Sequence, residues 1–165
     1  MIDIGVGGKV DVEKIHRLVR DDEILVGYPD GVSHPGTEIQ NSDLARLLHF
    51  GSRRIPARPF LYQAIAEVRT ELRNMIKLTI QKRIKENREP EGQYSLAGIG
   101  AFLVGAVQRF VRSDYYKSAQ PNAPRTIARK GSDTPLIDTG FLVNSTTYVV
   151  RGGPSKVKER EVSLG

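Results

Sequence analysis

FLYQAIAEVRTELRNMIKLTIQKRIKEN, residues 60–87, is the stretch on which the fold class turns. Leu61, Ile65, Val68, Leu72, Met75, Ile76, Ile80 and Ile84 recur at helical spacing, which aligns them along one side of a single long helix. Arg69, Arg73 and Lys77 step by four along another side. At about 1.5 Å per residue such a helix is about 40 Å long. The stripe predicts a buried Leu72, whose truncation to alanine would then cost about 2–5 kcal/mol. Glu89-Pro90-Glu91-Gly92 ends the pattern, since proline has no amide proton and its ring clashes with the preceding turn.

A second helix is predicted directly afterwards, over Ser95–Val111. Leu96, Ile99, Leu103, Val107 and Phe110 mark one side of it, and Phe102 and Ala106 another. A helix that is apolar nearly all round needs cover on several sides. Gly98, Gly100, Gly105 and Ala106 leave room for a neighbour to approach closely. This helix is either the centre of the core or partly turned towards another subunit.

The remaining elements are shorter. Ile2–Val6 alternates weakly, Glu23–Tyr28 is a strand centred on Ile24, Leu25 and Val26, and Ser145–Arg151 is a strand rich in β-branched residues. Short helices are expected at Val10–Arg20, at Asp43–Phe50 and at Arg125–Arg129. Asn41 or Ser42 would cap the second of these, and Gly51 would stop it. Asp138–Val143 is a further short helix, with Asp138 or Thr139 as its cap. Two long helices and few strands, without regular β-α alternation, predict an α+β fold. Its simplest form is a small antiparallel sheet packed against the long amphipathic helix and the apolar one. Residues 1–151 are expected to form a single domain with a Gly- and Pro-rich loop arm around 29–41, followed by a polar C-terminal tail over 152–165.

Composition narrows the function. A chain of 165 residues, 39% hydrophobic and 27% charged, is long enough to bury a core of its own. Lys and Arg number 25 against 19 Asp and Glu, and the net charge of +6 favours acidic partners, nucleic acid among them. Cysteine is absent, which excludes disulfide scaffolds, thiol catalysis and Cys-based zinc sites. Aromatic residues are 7% of the chain and none is Trp, which is thin for a base-stacking platform. The longest apolar run, Leu96–Val107, is broken by glycines and falls short of the roughly 20 residues of a membrane span. Met1–Gly5 is unlike a signal peptide, so the expectation is a cytosolic protein with no membrane partner.

Several motifs imitate chemistry. His16, His34 and His49 are too far apart to form a helical ligand pair, so no metal site is expected. Gly5-Val6-Gly7-Gly8-Lys9 lacks the Ser or Thr that follows the lysine of a phosphate loop, so it reads as a strand-to-helix connection, and no cofactor is expected. Leu136-Ile137-Asp138-Thr139-Gly140 has the form of the catalytic turn of aspartic proteases, in which two aspartates share a proton. A single copy would require a homodimer using Asp138 of each chain. Phe141 stands where that turn prefers a small residue, and the helix-rich pattern is foreign to that fold, so helix capping is the plainer reading. Arg53, Arg54 and Arg58, and later Arg125, Arg129 and Lys130, form basic clusters that could meet DNA phosphates, an acidic protein surface or solvent. No DNA-reading motif accompanies them.

Two segments together carry a resemblance. The first is Ile55-Pro56-Ala57-Arg58-Pro59-Phe60-Leu61, a few residues after Leu48-His49-Phe50-Gly51. The second is Thr126-Ile127-Ala128-Arg129-Lys130-Gly131, followed by Pro135-Leu136-Ile137-Asp138-Thr139-Gly140-Phe141-Leu142-Val143-Asn144-Ser145. The combination is similar to the head–tail joining, or tail completion, proteins of tailed bacteriophages, a group also called virion morphogenesis or minor tail proteins. The likeness covers roughly Glu23 to Arg151. It implies a non-enzymatic structural protein of the virion neck, forming a ring of six copies around the channel that DNA crosses. The implied partners are further copies of itself, the connector or stopper ring, the tail terminator or tail tube proteins, and DNA in the channel. The implied location is the virion neck, with the host cytoplasm as the site of assembly. Arg58, Pro59 and Phe60 match the lead into the long helix, and Asp138, Thr139, Gly140, Leu142 and Ser145 match the signature turn before the last strand. Their implied role is structural or interfacial. The chain departs from the group at His49, where Glu commonly precedes the Phe-Gly pair, and in its longer tail after Gly152. The competing readings are a tail terminator or connector of the same neck, the homodimeric protease, and a non-specific DNA-binding protein.

Overall fold

The computed structural model describes residues 22–86, 88–119, 121–131, 133–136 and 140–151, together with the backbone of Ile2–Asp3 and Lys9–Val10. In chain order the elements are β1 (Ile2–Asp3), β2 (Lys9–Val10), β3 (Glu23–Gly27), α1 (Asn41–Phe50), α2 (Phe60–Glu67), α3 (Arg69–Glu86), a 3-10 turn (Gly92–Tyr94), α4 (Leu96–Arg112), α5 (Asp114–Ala119), α6 (Pro124–Lys130), α7 (Phe141–Asn144) and β4 (Thr147–Arg151). β1 and β2 pair antiparallel with Ile2 opposite Val10, and β3 is the hydrogen-bonded neighbour of β4. The fold is α+β. The chain forms two compact units, one of residues 1–25, 71–100 and 149–165, the other of 26–70 and 101–148.

The long helix expected over 60–87 is interrupted. Val68 (φ −96°, ψ 15°) ends α2, and α3 starts afresh at Arg69. The buried positions also differ from the apolar stripe. They are Phe60 and Ala64 in α2, and Thr79 and Arg83 in α3. These precede Leu61, Ile65, Ile80 and Ile84 by one residue, a turn of about 100° on a helix. Leu72 is half-buried rather than a core residue, and Ile76 and Leu78 are exposed. Polar partners explain the difference in the first unit. The Arg83 guanidinium pairs with the carboxylates of Asp22 and Glu89, and the Thr79 hydroxyl donates to Tyr94 O at 2.7 Å. A buried cation left unpaired costs several kcal/mol, so about 3–5 kcal/mol rides on keeping this pairing. In the same unit the 3-10 turn closes tightly over α4. A Cβ on Gly98 would fall inside the contact radius of Gly92 O and lie 2.7 Å from Gln93 Cα. The close approach expected of the α4 glycines is thus made at Gly98.

The core of the second unit gathers Ala45, Phe60, Ala64, Val107, Phe110, Val111, Tyr116, Leu142 and Val143, with Val26 and Tyr28 packed on it. The α4 side marked by Val107 and Phe110 is therefore buried, and Ala106, on the side marked with Phe102, is buried as well.

Several local expectations change. α1 begins at Asn41 after an extended Gln40, and no side chain caps it: Gln40 Oε1 accepts from Gly31 N, and the Asn41 amide reaches Ser145. The arm at 29–41 is closed on itself. His34 N donates to Ile39 O and Asn41 N to Val32 O, both at 2.8 Å, and Gly31 N donates to Gln40 Oε1 at 2.9 Å. The last short helix starts at Phe141 with Gly140 as its cap in the left-handed region (φ 79°), not at Asp138. Val10 lies in a strand instead of starting a helix. The rest of the 10–20 helix, Asp138, Thr139 and the tail over 152–165 lie outside the described residues.

Candidate functional site

The first signature segment is built by a forced return of the chain. Gly51 ends α1 at φ 75°, where a Cβ would lie 2.6 Å from Ala57 N, so only glycine permits the 51–57 loop to fold back. The Ser52 hydroxyl accepts from Arg54 N at 3.3 Å and Ile55 N at 3.2 Å, which leaves Arg53 and Arg54 exposed at the tip. Arg58 N then donates to Leu48 O at 2.9 Å, Pro59 precedes the helix, and Phe60 enters the core fully buried.

The second segment is held by polar ties. Pro124 opens α6, where its missing amide proton costs nothing, and Gly131 closes it in the left-handed region. Asn122 Nδ2 donates to Asp133 O at 3.1 Å, Lys130 Nζ donates to Thr134 O at 3.1 Å, and Lys117 meets Asp133 at 2.9 Å. The Lys117 bond holds the exposed Asp133 carboxyl below its ordinary range. Leu136 has φ 58°, the single positive value outside glycine among the described residues, a strained conformation for a side chain of this size. α7 then buries Leu142 and Val143.

Residues 55–61 and 126–145 meet in this unit. Phe60 and Leu142 belong to one core. Arg58 Nη2 donates to Pro121 O at 3.2 Å. Ser145 Oγ donates to Leu142 O at 2.8 Å and accepts from Asn41 Nδ2 at 3.1 Å. Asn41 Oδ1 lies 3.3 Å from His34 Nδ1, within reach of a hydrogen bond from the tautomer protonated there. Asn41 is therefore the linking residue that sequence reasoning took for a cap. The signal was weak, because Asn before a helix is ordinarily a cap.

A cleft of about 210 Å³ opens between α1, α6 and α7. Leu44, Leu48, Leu136 and Phe141 give it an apolar lining, and Arg58, Arg129, Lys130 and His34 stand around it. Arg58 Nε is buried without a hydrogen-bond partner. The structure thus gathers Arg58, Arg129 and Lys130 at one place, while Arg53, Arg54 and Arg125 do not line the cleft.

A second cleft of about 230 Å³ lies beside His49, Phe50, Tyr62 and Tyr28. The His49 ring is buried and meets Phe50 and Tyr62 edge-on at 4.7 Å, and Phe60 at 5.6 Å. Desolvation lowers its pKa and so favours the neutral ring in this aromatic nest. Phe50 and Tyr62 flank it, both 65% exposed.

Among the described residues no group of three His, Asp or Glu could hold a metal ion, and no helix is long and apolar enough to cross a membrane. No family model, curated protein or solved structure matches the chain.

Proposed function

We propose that the chain is a structural protein of the bacteriophage neck, which completes the tail and joins it to the DNA-filled head as a ring around the channel. The observation that carries this reading is the meeting of the two signature segments. Phe60 of the first segment and Leu142 of the second share one core. Residues that resemble one group in two distant segments thus serve one structural unit. The net charge of +6 suits a place beside DNA or against an acidic ring. Exposed Phe50, Tyr62 and Tyr115 suit subunit contacts, where aromatic side chains contribute most of the binding energy. Activity on this reading is assembly by surface complementarity, with no reaction catalysed.

The test is electron microscopy of lysates from phage in which the gene is disrupted. Filled heads accumulating apart from full-length tails is the expected result. Intact, infectious particles would overturn the reading.

A further inference from the structure

We propose that the turn at 52–55 is a contact for the phosphate backbone of duplex DNA, made by Arg53 and Arg54. The proposal deepens the neck reading and rests on it only for the source of the DNA. From Leu44 to Ala66 the chain holds no acidic residue, while Arg46, Arg53, Arg54 and Arg58 fall inside that run. The fold gives these arginines different tasks. Arg46 pairs with Asp43 at 3.1 Å, and Arg58 donates to Pro121 O at 3.2 Å. Arg53 and Arg54 stand exposed, side by side in the chain, at the apex of the loop.

The backbone sets that apex. Ser52 N donates to Ile55 O at 2.8 Å, and the Ser52 hydroxyl accepts from Arg54 N and Ile55 N. Gly51 at φ 75° and the bond from Arg58 N to Leu48 O fix the two ends of the loop. The backbone that carries the two guanidiniums is thus ordered before a partner arrives, which lowers the cost of binding. The chemistry favours phosphate over an acidic protein surface. Protein interfaces are anchored by aromatic and apolar side chains desolvated at their centre. The apex itself, Ser52-Arg53-Arg54, carries none. A guanidinium on a phosphate needs no such anchor, because it supplies two parallel hydrogen bonds and releases counterions held by the duplex. Such contacts fix position on the duplex and carry no sequence information.

The test is fluorescence anisotropy of the full chain with short labelled duplexes of two unrelated sequences, titrated between about 50 and 200 mM salt. The wild-type chain is expected to bind both duplexes alike and to weaken steeply as salt rises. Arg53→Gln/Arg54→Gln removes two phosphate contacts, so the slope of log K against log salt should become shallower by about 1.8. Over that salt range the wild type then loses about tenfold more affinity than the variant. Arg73→Gln/Lys77→Gln is the control, since both residues are exposed on α3 and the same charge is removed. Its slope should match the wild type, and both variants should keep the native circular dichroism spectrum. No binding at about 50 mM salt, equal slope changes in the two variants, or a strong preference for one duplex sequence would overturn the proposal. So would displacement of the labelled duplex by poly-glutamate as readily as by unlabelled duplex, which would assign the turn to an acidic protein. The two readings fail separately. A shallower slope in Arg53→Gln/Arg54→Gln with particles intact after gene disruption removes the neck reading and leaves the DNA contact. An unchanged slope with heads and tails apart removes the DNA contact and leaves the neck.

Discussion

Replacing Gly98 by alanine separates local helix preference from tertiary packing, because the two predict opposite signs. Gly98 lies within α4, where Gly→Ala alone would gain about 1 kcal/mol. The added Cβ, however, would overlap Gly92 O and lie 2.7 Å from both Gln93 C and Gln93 Cα, all backbone atoms. Overpacking of this kind costs about 1–3 kcal/mol. Relieving it by moving the turn endangers two bonds to Gly92 O, from Ser95 N at 3.0 Å and Ser95 Oγ at 2.7 Å. Each is worth about 1 kcal/mol net. The sum is a loss of about 2–4 kcal/mol, or a fall in Tm of about 4–16 °C for a chain of this size. Gly105→Ala is the control on the same helix. Its Cβ would meet only Arg109 Nη1 at 3.1 Å, the far end of a flexible side chain, so a gain approaching 1 kcal/mol is expected, about 2–4 °C. Urea and thermal unfolding followed by circular dichroism measure both. A Gly98→Ala protein that melts at or above the wild-type temperature would refute the reasoning.

Three further outcomes follow from the second unit. Phe60→Ala should lose about 3–5 kcal/mol in urea unfolding, since the ring is fully buried, whereas Tyr62→Ala, 65% exposed, should stay within about 0.5 kcal/mol. Equal effects would mean that the ring assigned to the core is not there. Asn41→Ala should cost about 1–3 kcal/mol, and a double-mutant cycle with Ser145→Ala should show coupling; additive losses would deny the bridge from the start of α1 to Ser145. His49 has its pKa lowered by desolvation, so the unfolded chain binds the proton more readily than the folded one. Its contribution to stability is then complete above about pH 6.5, the unperturbed value, and is lost as the pH falls below it. His49→Phe should flatten the stability profile between pH 6.5 and the lowered value; an unchanged slope would assign it to other groups.

How much of this was legible depends on how local the cause is. The α4 helix, the stop at Gly51, the short helix before Gly131 and the final strand follow from neighbours in the chain, and the α+β class follows from them. Asn41, Arg83 and the cleft do not. Asn before a helix reads as a cap, yet this amide reaches Ser145, 104 residues away. Arginine reads as solvent-facing, yet Arg83 is buried because Asp22, 61 residues earlier, meets it.

Sequence alone therefore determined the α4 helix, the stops at Gly51 and Gly131 and the last strand, because hydrogen bonding along the backbone, glycine's access to positive φ and apolar periodicity are short-range properties; it did not determine the break at Val68 or the start of α7 at Phe141. Tertiary structure decided which side of α3 is buried and which of the basic residues share a site. Those outcomes rest on ion pairs and hydrogen bonds between distant residues, and a hydrophobic period carries no record of the charge that will arrive opposite it.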